Sequence, residues 1–387
     1  MDDNARAEWE LGTSLIRPEP DNFVERPWGG HWIRRFKSGA SSAWDDGLGP
    51  DAAGDAEVPR WGEAFEISAY DADDEASRFP SRVRLADGTV TPLPALLEAH
   101  SGALLGEAFV GRYGACFPLL PKTLDVKELL SVQGHPPGNT EVYIIIDAEP
   151  GATLRLGFNR DIEPASTIAA LTDGLAHARI VELMIGLKAL YWQMLDSMNA
   201  IAVEPGQVIY NATPERLTAV TGKPASAEVH ALGNPEGKEI LALEIRRPGP
   251  TFRAWDNVRF PQRQVDVAAA IGALNLQATS PDDFIRQRVP VPGRDGASVS
   301  VDCEYFRVEH WAPRPGRSVV VESSSPHSLH CLAGNVAVID DAGRIAGRLA
   351  RGESAIVPVG LRSYRVEAVG DADAGEADVV QVTLPEN

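Results

Sequence analysis

Between Lys122 and Phe158 the chain reads KTLDVKELLSVQGHPPGNTEVYIIIDAEPGATLRLGF. Three side chains in this run can ligate a metal ion: Gln133, His135 and Glu141. If Leu129 to Gln133 is a strand that continues to His135, alternation places Gln133 and His135 on one face. Glu141 opens a second strand, Val142 to Asp147, rich in Ile and Tyr. A tight connection through Pro136, Pro137 and Gly138 folds this strand back on the first. Two facing strands can then converge an amide oxygen, an imidazole and a carboxylate on one point. That mixture of nitrogen and oxygen donors suits zinc or a similar divalent ion.

The same residues resemble a known family, the type I phosphomannose isomerases, which are zinc-dependent cupins. The family pattern has a Lys, then, nine positions on, Ser-hydrophobic-Gln-x-His-Pro. Here these are Lys122, Ser131, Val132, Gln133, Gly134, His135 and Pro136. Glu141 to Asp147 resembles the strand that follows in the family. Arg26-Pro-Trp-Gly-Gly30 is similar to its N-terminal Trp-Gly-Gly strand. Gly62-Glu-Ala-Phe-Glu-Ile-Ser-Ala69 is similar to its Gly-Glu-x-Trp-x-Ile-Ser-Ala segment. Thr251-Phe-Arg253-Ala-Trp-Asp256, followed by Arg259, is similar to its Thr-Tyr-Arg-x-Tyr-Asp-x-x-Arg. The segments keep their order and span roughly residues 23 to 260.

The resemblance implies roles for these residues. Gln133, His135 and Glu141 become metal ligands, with a fourth ligand, a His, after a Pro-Gly turn. Pro205-Gly206-Gln207 supplies the turn, but no His lies at the usual distance from it. His230, in Pro224-Ala-Ser-Ala-Glu-Val-His230-Ala-Leu-Gly233, is the better local match. Either residues 211 to 229 form an excursion that brings His230 to the site, or the ligand is lost and His230 lies on another hairpin. Glu244 falls where the family has a Glu near the substrate, with Arg246-Arg247 near the place of its Gln-Gln pair. Arg253 matches the family's active-site Arg. Lys122, Ser131 and Arg259 are the expected substrate-binding residues, on the phosphate side. Asn139 departs from the pattern, because the family has Lys two residues before the metal Glu.

Positioning such a site takes a β framework. Beyond Ile201 the pattern is short apolar runs separated by Gly and Pro turns, and residues 291 to 387 show short strands at 8 to 12 residue spacing. The expected class is mainly β with a helical insertion: two cupin-like (jelly-roll) β domains plus a small helical domain. Residues 1–160 and 199–264 are expected to form the N-terminal metal-binding cupin domain, with 38–60 as an exposed loop rich in Gly, Ala, Asp and Pro. Residues 161–198, with apolar positions at helical spacing, are the helical insertion. Residues 265–387 hold a linker and the C-terminal cupin-like domain. Leucines 93, 96, 97, 104 and 105 after Pro92 mark a further helix. His327 and His330, three apart on a strand, point to opposite faces and are not expected to form a second metal site.

The net charge is −19. It excludes a nucleic acid or an anionic membrane as partner, since these need a basic footprint. A sugar phosphate is repelled at long range too, so its site must be locally basic. No apolar run reaches ~18 residues, the length of a membrane-spanning helix. The N-terminus MDDNARAEWE lacks the basic and apolar regions of a signal peptide. Cys116, Cys303 and Cys331 form neither a disulfide framework nor a CxxC motif, so a reducing cytoplasm is expected. Together these expectations give a zinc- or other divalent-metal-dependent aldose–ketose isomerase that interconverts mannose 6-phosphate and fructose 6-phosphate. The alternatives are an isomerase of another sugar or sugar phosphate, and a sugar-binding cupin without turnover.

Overall fold

The run EVYIIIDA is apolar on both of its faces, which a strand tolerates only when both faces are covered. In the computed structural model it is β7 (Glu141–Ala148), near the middle of a seven-stranded sheet. The structure describes residues 10–37, 60–69, 79–85, 87–163, 192–256, 264–370 and 376–385. Most of the expected loop 38–60 and of the helical insertion 161–198 lies outside them, although residues 192–196 are helical.

Two antiparallel sheets carry the first half of the chain. In chain order the strands are β1 (Phe23–Gly30), β2 (Trp61–Phe65), the small hairpin β3 (Arg82–Arg84) and β4 (Val90–Pro92), and β5 (Lys122–Val126). β6 (Val132–Gly134) precedes β7, and β8 (Thr153–Phe158), β9 (Met198–Ala202), β10 (Val208–Asn211) and β11 (His230–Ala231) follow it. β12 (Ile240–Arg246), β13 (Phe252–Trp255) and β14 (Ile285–Arg286) complete the set. The seven-stranded sheet runs β1-β2-β5-β12-β7-β10-β14, and the five-stranded sheet β13-β6-β11-β8-β9. Trp28, Leu124, Tyr143, Leu156, Leu232 and Ala242 fill the space between them.

The second half repeats the architecture. Its strands are β15 (Val289–Pro290), β16 (Ala297–Asp302), β17 (Arg307–Trp311), β18 (Val319–Glu322) and β19 (His327–Ala333), then β20 (Asn335–Asp340), β21 (Ile345–Ala350), β22 (Ser354–Val357), β23 (Ser363–Ala368) and β24 (Asp378–Thr383). They form a six-stranded sheet, β15-β16-β17-β24-β19-β22, and a four-stranded sheet, β18-β23-β20-β21. The strands divide between Arg286 and Val289, since β14, in the expected linker, still pairs with β10.

One hydrophobic cluster joins the halves. Val142, Ile144 and Leu243, on the outer face of the seven-stranded sheet, share it with Val308, Val380 and Val382 of the six-stranded sheet. The expected helix after Pro92 is two short helices, Leu93–Ala99 and Ser101–Leu104, followed by a third, Glu107–Tyr113. Their leucines 93, 96, 97 and 104 enter the same cluster. Helix α1 (Trp32–Lys37) adds Ile33 and Phe36 to it, and the residues expected as an excursion before His230 contain a helix, Glu215–Thr221.

Candidate metal centre

The site follows from strand register. On the five-stranded sheet Arg253, Gln133 and His230 are successive cross-strand partners over β13, β6 and β11. On the seven-stranded sheet Arg246, Glu141 and Asn211 are successive partners over β12, β7 and β10. Directly opposed side chains of paired strands point to the same face, so each sheet presents one row of polar groups. The two rows face each other across the barrel. His135 lies one residue beyond β6, on the face of Gln133. The strand expected from Leu129 is shorter than the alternation suggested, at Val132–Gly134, yet this relation survives.

His135, Glu141 and His230 each bring a ligand atom within 4.8 Å of the others, and all three are buried. His135 Nε2 is 2.9 Å from Glu141 Oε1, yet it makes no hydrogen bond to any group. His230 Nε2 is 3.4 Å from Glu141 Oε2. Both rings meet a backbone carbonyl through Nδ1, His135 at Pro250 O (3.0 Å) and His230 at Glu228 O (2.8 Å). A carbonyl only accepts, so the proton sits on Nδ1 and the Nε2 lone pairs turn inward. Glu141 is fixed by Tyr143 Oη–H and by Asn211 Nδ2, at 2.9 Å. A buried nitrogen with no hydrogen bond, two fixed tautomers and a held carboxylate form the donor set that a divalent ion needs.

Electrostatics agree with this arrangement. Burial pushes the Glu141 carboxyl up, but the neighbouring imidazoles of His135 and His230, with the Arg246 guanidinium, outweigh it and hold the group well below the usual carboxylate range. Burial lowers the His230 imidazole, with Glu141 opposing, which favours the neutral ligand form.

Gln133 completes the row differently. Ser131 Oγ donates to its Oε1 at 2.7 Å, and its Nε2 stands 3.1 Å from His230 Nε2. Turning the amide by 180° keeps the Ser131 contact with the roles exchanged and brings Oε1 to the common point. Ser131 is fully buried behind Gln133 rather than along the pocket.

The same pocket is lined by Arg26, Glu63, Lys122, Glu244, Arg246 and Arg253. Lys122 Nζ lies between Glu244 Oε1 (2.9 Å) and Glu63 Oε1 (3.3 Å). Glu244 also meets Arg246 Nε at 3.3 Å. Burial raises the Glu244 carboxyl, and Lys122 opposes it. Asn139 is buried and donates to Arg247 O at 3.1 Å. Arg259 lies outside the described residues. Sequence reasoning assigned no role to Arg26, Glu63, Tyr143 or Asn211. Arg26 and Glu63 stood inside quoted motifs, and Tyr143 shares a strand face with Glu141, so their spacing held part of the signal.

His310, His327 and His330 are buried in the second half, and among the described residues no further group of potential metal ligands assembles there. His327 faces Tyr364 Oη (2.5 Å) and His330 faces Ser354 Oγ (2.8 Å), on different sides of β19 as alternation requires.

Two stacked jelly-roll barrels with a His-Glu-His centre inside the first define a two-domain cupin of the metal-binding kind. No family model matches the sequence. The mannose-6-phosphate isomerase ManA of Bacillus subtilis is 26% identical over 280 residues, 67% of this chain and 74% of that protein. The mannose-6-phosphate isomerase of Streptococcus mutans is 24% identical over 331 residues, 79% of this chain and 85% of that protein. The crystal structure of the mannose 6-phosphate isomerase from Bacillus subtilis matches with a TM-score of 0.66 and 21% identity, covering 96% of this chain and 100% of that one. A zinc-bound holo mannose 6-phosphate isomerase matches with a TM-score of 0.62 and 14% identity, covering 96% and 99%. The chain is thus similar in sequence to mannose-6-phosphate isomerases and shares their fold, as its ordered motifs imply.

Proposed function

We propose that the protein is a metal-dependent aldose–ketose isomerase that interconverts mannose 6-phosphate and fructose 6-phosphate. The observation that carries this reading is the convergence of His135, Glu141 and His230 at the wall of a pocket that His135 and Glu141 line together with Lys122, Glu244 and Arg253. Isomerisation moves a proton between C1 and C2 of the open-chain sugar through a cis-enediol, which takes a base at carbon and an electrophile at oxygen. His135, Glu141, His230 and the amide oxygen of Gln133 would hold a zinc or similar divalent ion, which when bound polarises the carbonyl oxygen. Glu244 is the carboxylate assigned to proton transfer, with Lys122 and Arg246 fixing its position. Arg253, beside Gln133, stabilises the enediolate charge. Lys122 and Ser131 support the substrate site through Glu244 and Gln133, and Arg259 is assigned to the phosphate.

The division proposed for the chain keeps the metal-binding cupin in residues 1–160 and 199–264, with β14 added, and the C-terminal cupin in the remainder after the linker. Among the described residues no helix is long and apolar enough to cross a membrane. The three free cysteines support a reducing cytoplasm as the protein's compartment.

The test is conversion of mannose 6-phosphate to fructose 6-phosphate by the purified, zinc-loaded protein. Turnover that disappears with chelator and returns with zinc is expected. Absence of turnover on every phosphorylated and free aldose in a panel would overturn the isomerase reading. A second reading changes only the sugar. It is favoured by Asn139, a buried neutral side chain tied to Arg247 O where the family carries a Lys. The same panel separates the two.

A further inference from the structure

Five charged side chains alternate in sign along one wall of the metal pocket. Arg26 meets Glu63 at 2.5 Å, Glu63 meets Lys122 at 3.3 Å, Lys122 meets Glu244 at 2.9 Å, and Glu244 meets Arg246 at 3.3 Å. The ladder begins and ends on an arginine. Side-chain exposure falls steadily along it, from 17% at Arg26 through 10, 9 and 7 to 6% at Arg246. Arg246 is the register partner of Glu141, so its end is the metal end. Arg26 sits on β1, with β2, β5 and β12 between it and β7, so its end is the mouth.

A sugar phosphate has the same polarity. Its reacting carbons stand at one end of the chain and its dianion at the other. With C1 and C2 at the His-Glu-His triad, the phosphate points away from Arg246 and toward the outer end of the ladder. The free space in the pocket is about 40 Å3, far below the ~300 Å3 or more of ordinary ligand sites. One wall must therefore give way, and the outermost and least buried contact is Arg26–Glu63.

We infer that Arg26 receives the phosphate of the substrate, and that the Glu63 carboxylate occupies its guanidinium until the phosphate displaces it. This rests on the isomerase reading above and deepens it. Arg26 directs both Nε and Nη2 at Glu63 Oε2, each at 2.5 Å. That edge of a guanidinium forks two phosphate oxygens. The guanidinium lies over the Phe79 ring at 5.8 Å, and Phe79 stacks on Phe65 at 5.5 Å. The plane is thus held when its carboxylate changes. Room for Arg26 comes from Gly62, where a Cβ would meet Arg26 Cβ at 2.5 Å. Lys122, expected to grip phosphate, instead spaces two carboxylates in the middle of the ladder.

The test uses inorganic phosphate and the zinc-loaded, full-length protein. Phosphate binding is read by calorimetry and by competitive inhibition, and metal content is checked in each variant. Arg26→Gln is expected to weaken phosphate binding by about 10- to 100-fold, with Arg26→Lys between it and the wild type. The loss of kcat/KM should be at least ~10-fold larger for a phosphorylated sugar than for the free sugar, and it should fall on KM. Glu63→Gln should change phosphate binding in the opposite direction, tightening it, because the internal competitor is gone. Equal losses on phosphorylated and free sugar, or phosphate binding unaltered in Arg26→Gln, would overturn the inference. If Arg26→Gln does not fold, phosphate binding that weakens or stays the same in Glu63→Gln overturns it alone. A wild type that isomerises no sugar removes the isomerase reading, while the calorimetric phosphate titration still decides the role of Arg26.

Discussion

Gln133 and His230 are register partners across β6 and β11, and their side-chain nitrogens stand 3.1 Å apart. Ninety-seven residues separate them in sequence. The pairing is backbone geometry, so the distance between the two side chains is set by the ladder of a buried sheet rather than by loops. The same applies to Glu141, whose partners Arg246 and Asn211 flank it on the facing sheet. A site assembled from cross-strand rows needs little rearrangement to close on an ion.

This predicts a preformed centre with graded losses. The protein as purified without chelator should hold about one divalent ion per chain. His135→Ala and His230→Ala should each reduce the content to near zero, and Gln133→Leu should weaken affinity less, since an amide oxygen is the poorest donor of the set. Elemental analysis checks the first statement, and a competition titration with a chelator checks the ranking. An ion retained in full by His230→Ala would remove His230 from the site.

How much of this was legible in the sequence depends on separation along the chain. Gln133, His135 and Glu141 are local, and alternation plus one turn is enough to bring them near one another. His230 required knowing that residues 211–229 leave the sheet and return, and no period in the sequence states that. The helix Glu215–Thr221 and the pairing of His230 with both Gln133 and Leu156 supply it. The ion ladder was illegible for a similar reason. Arg26, Glu63, Lys122, Glu244 and Arg246 come from four strands, and which cation meets which carboxylate is fixed only by register. The pairing of β14 with β10 was illegible because β14 is two residues long, too short to carry a pattern.

Removal of the central cation of that ladder should be costly. Lys122→Met leaves Glu63 and Glu244 buried without the charge between them, and loss of one partner from a buried pair costs ~3–5 kcal/mol. The urea midpoint should fall accordingly. Combining Lys122→Met with Glu244→Gln should cost less than the sum of the two single losses, because each substitution removes the other's partner and Arg246 is the one charge left beside them. Additive destabilisation by the two substitutions would show that the ladder is not an electrostatic unit.

The two barrels are pinned together by a second buried network, behind the metal pocket. Lys37 Nζ donates to both oxygens of Glu66 at 2.7 Å, Thr123 Oγ1 donates to Glu66 at 2.7 Å, and Ser354 of the second barrel reaches it at 3.4 Å. Lys37 and Glu66 are nearly inaccessible to solvent. Lys37→Met should therefore cost ~3–5 kcal/mol through the stranded Glu66 charge. Ser354→Ala, which removes one long hydrogen bond, should cost about 1 kcal/mol. Calorimetric unfolding checks both, and for Lys37→Met the two barrels are expected to separate into two transitions. A single transition with an unchanged midpoint would show that the hydrophobic cluster alone joins them.

Acid should unfold the second barrel first. Burial pushes His310 down to about 3, with Arg288 adding to it, and pushes His327 down to about 4 against the opposing Ser325 carbonyl. His330 is pushed down to about 3, by burial and by the charge of Lys37. All three fold neutral. Their folded values lie below the unfolded value of ~6.5, so the unfolded chain binds the extra protons. The stability they contribute is present above about pH 6.5 and is lost as the pH falls from there toward 3–4, at ~1.4 kcal/mol per pH unit for each histidine. Urea unfolding between pH 7.5 and pH 4.5, followed by the fluorescence of buried Trp311, should show this slope. His330→Gln, which keeps hydrogen-bonding groups for Ser328 and Ser354 but cannot titrate, should remove about one third of it. A slope that His330→Gln leaves unchanged would mean that His330 gains its proton without cost in the folded state, contrary to its burial between two serine hydroxyls at 2.8 and 2.9 Å.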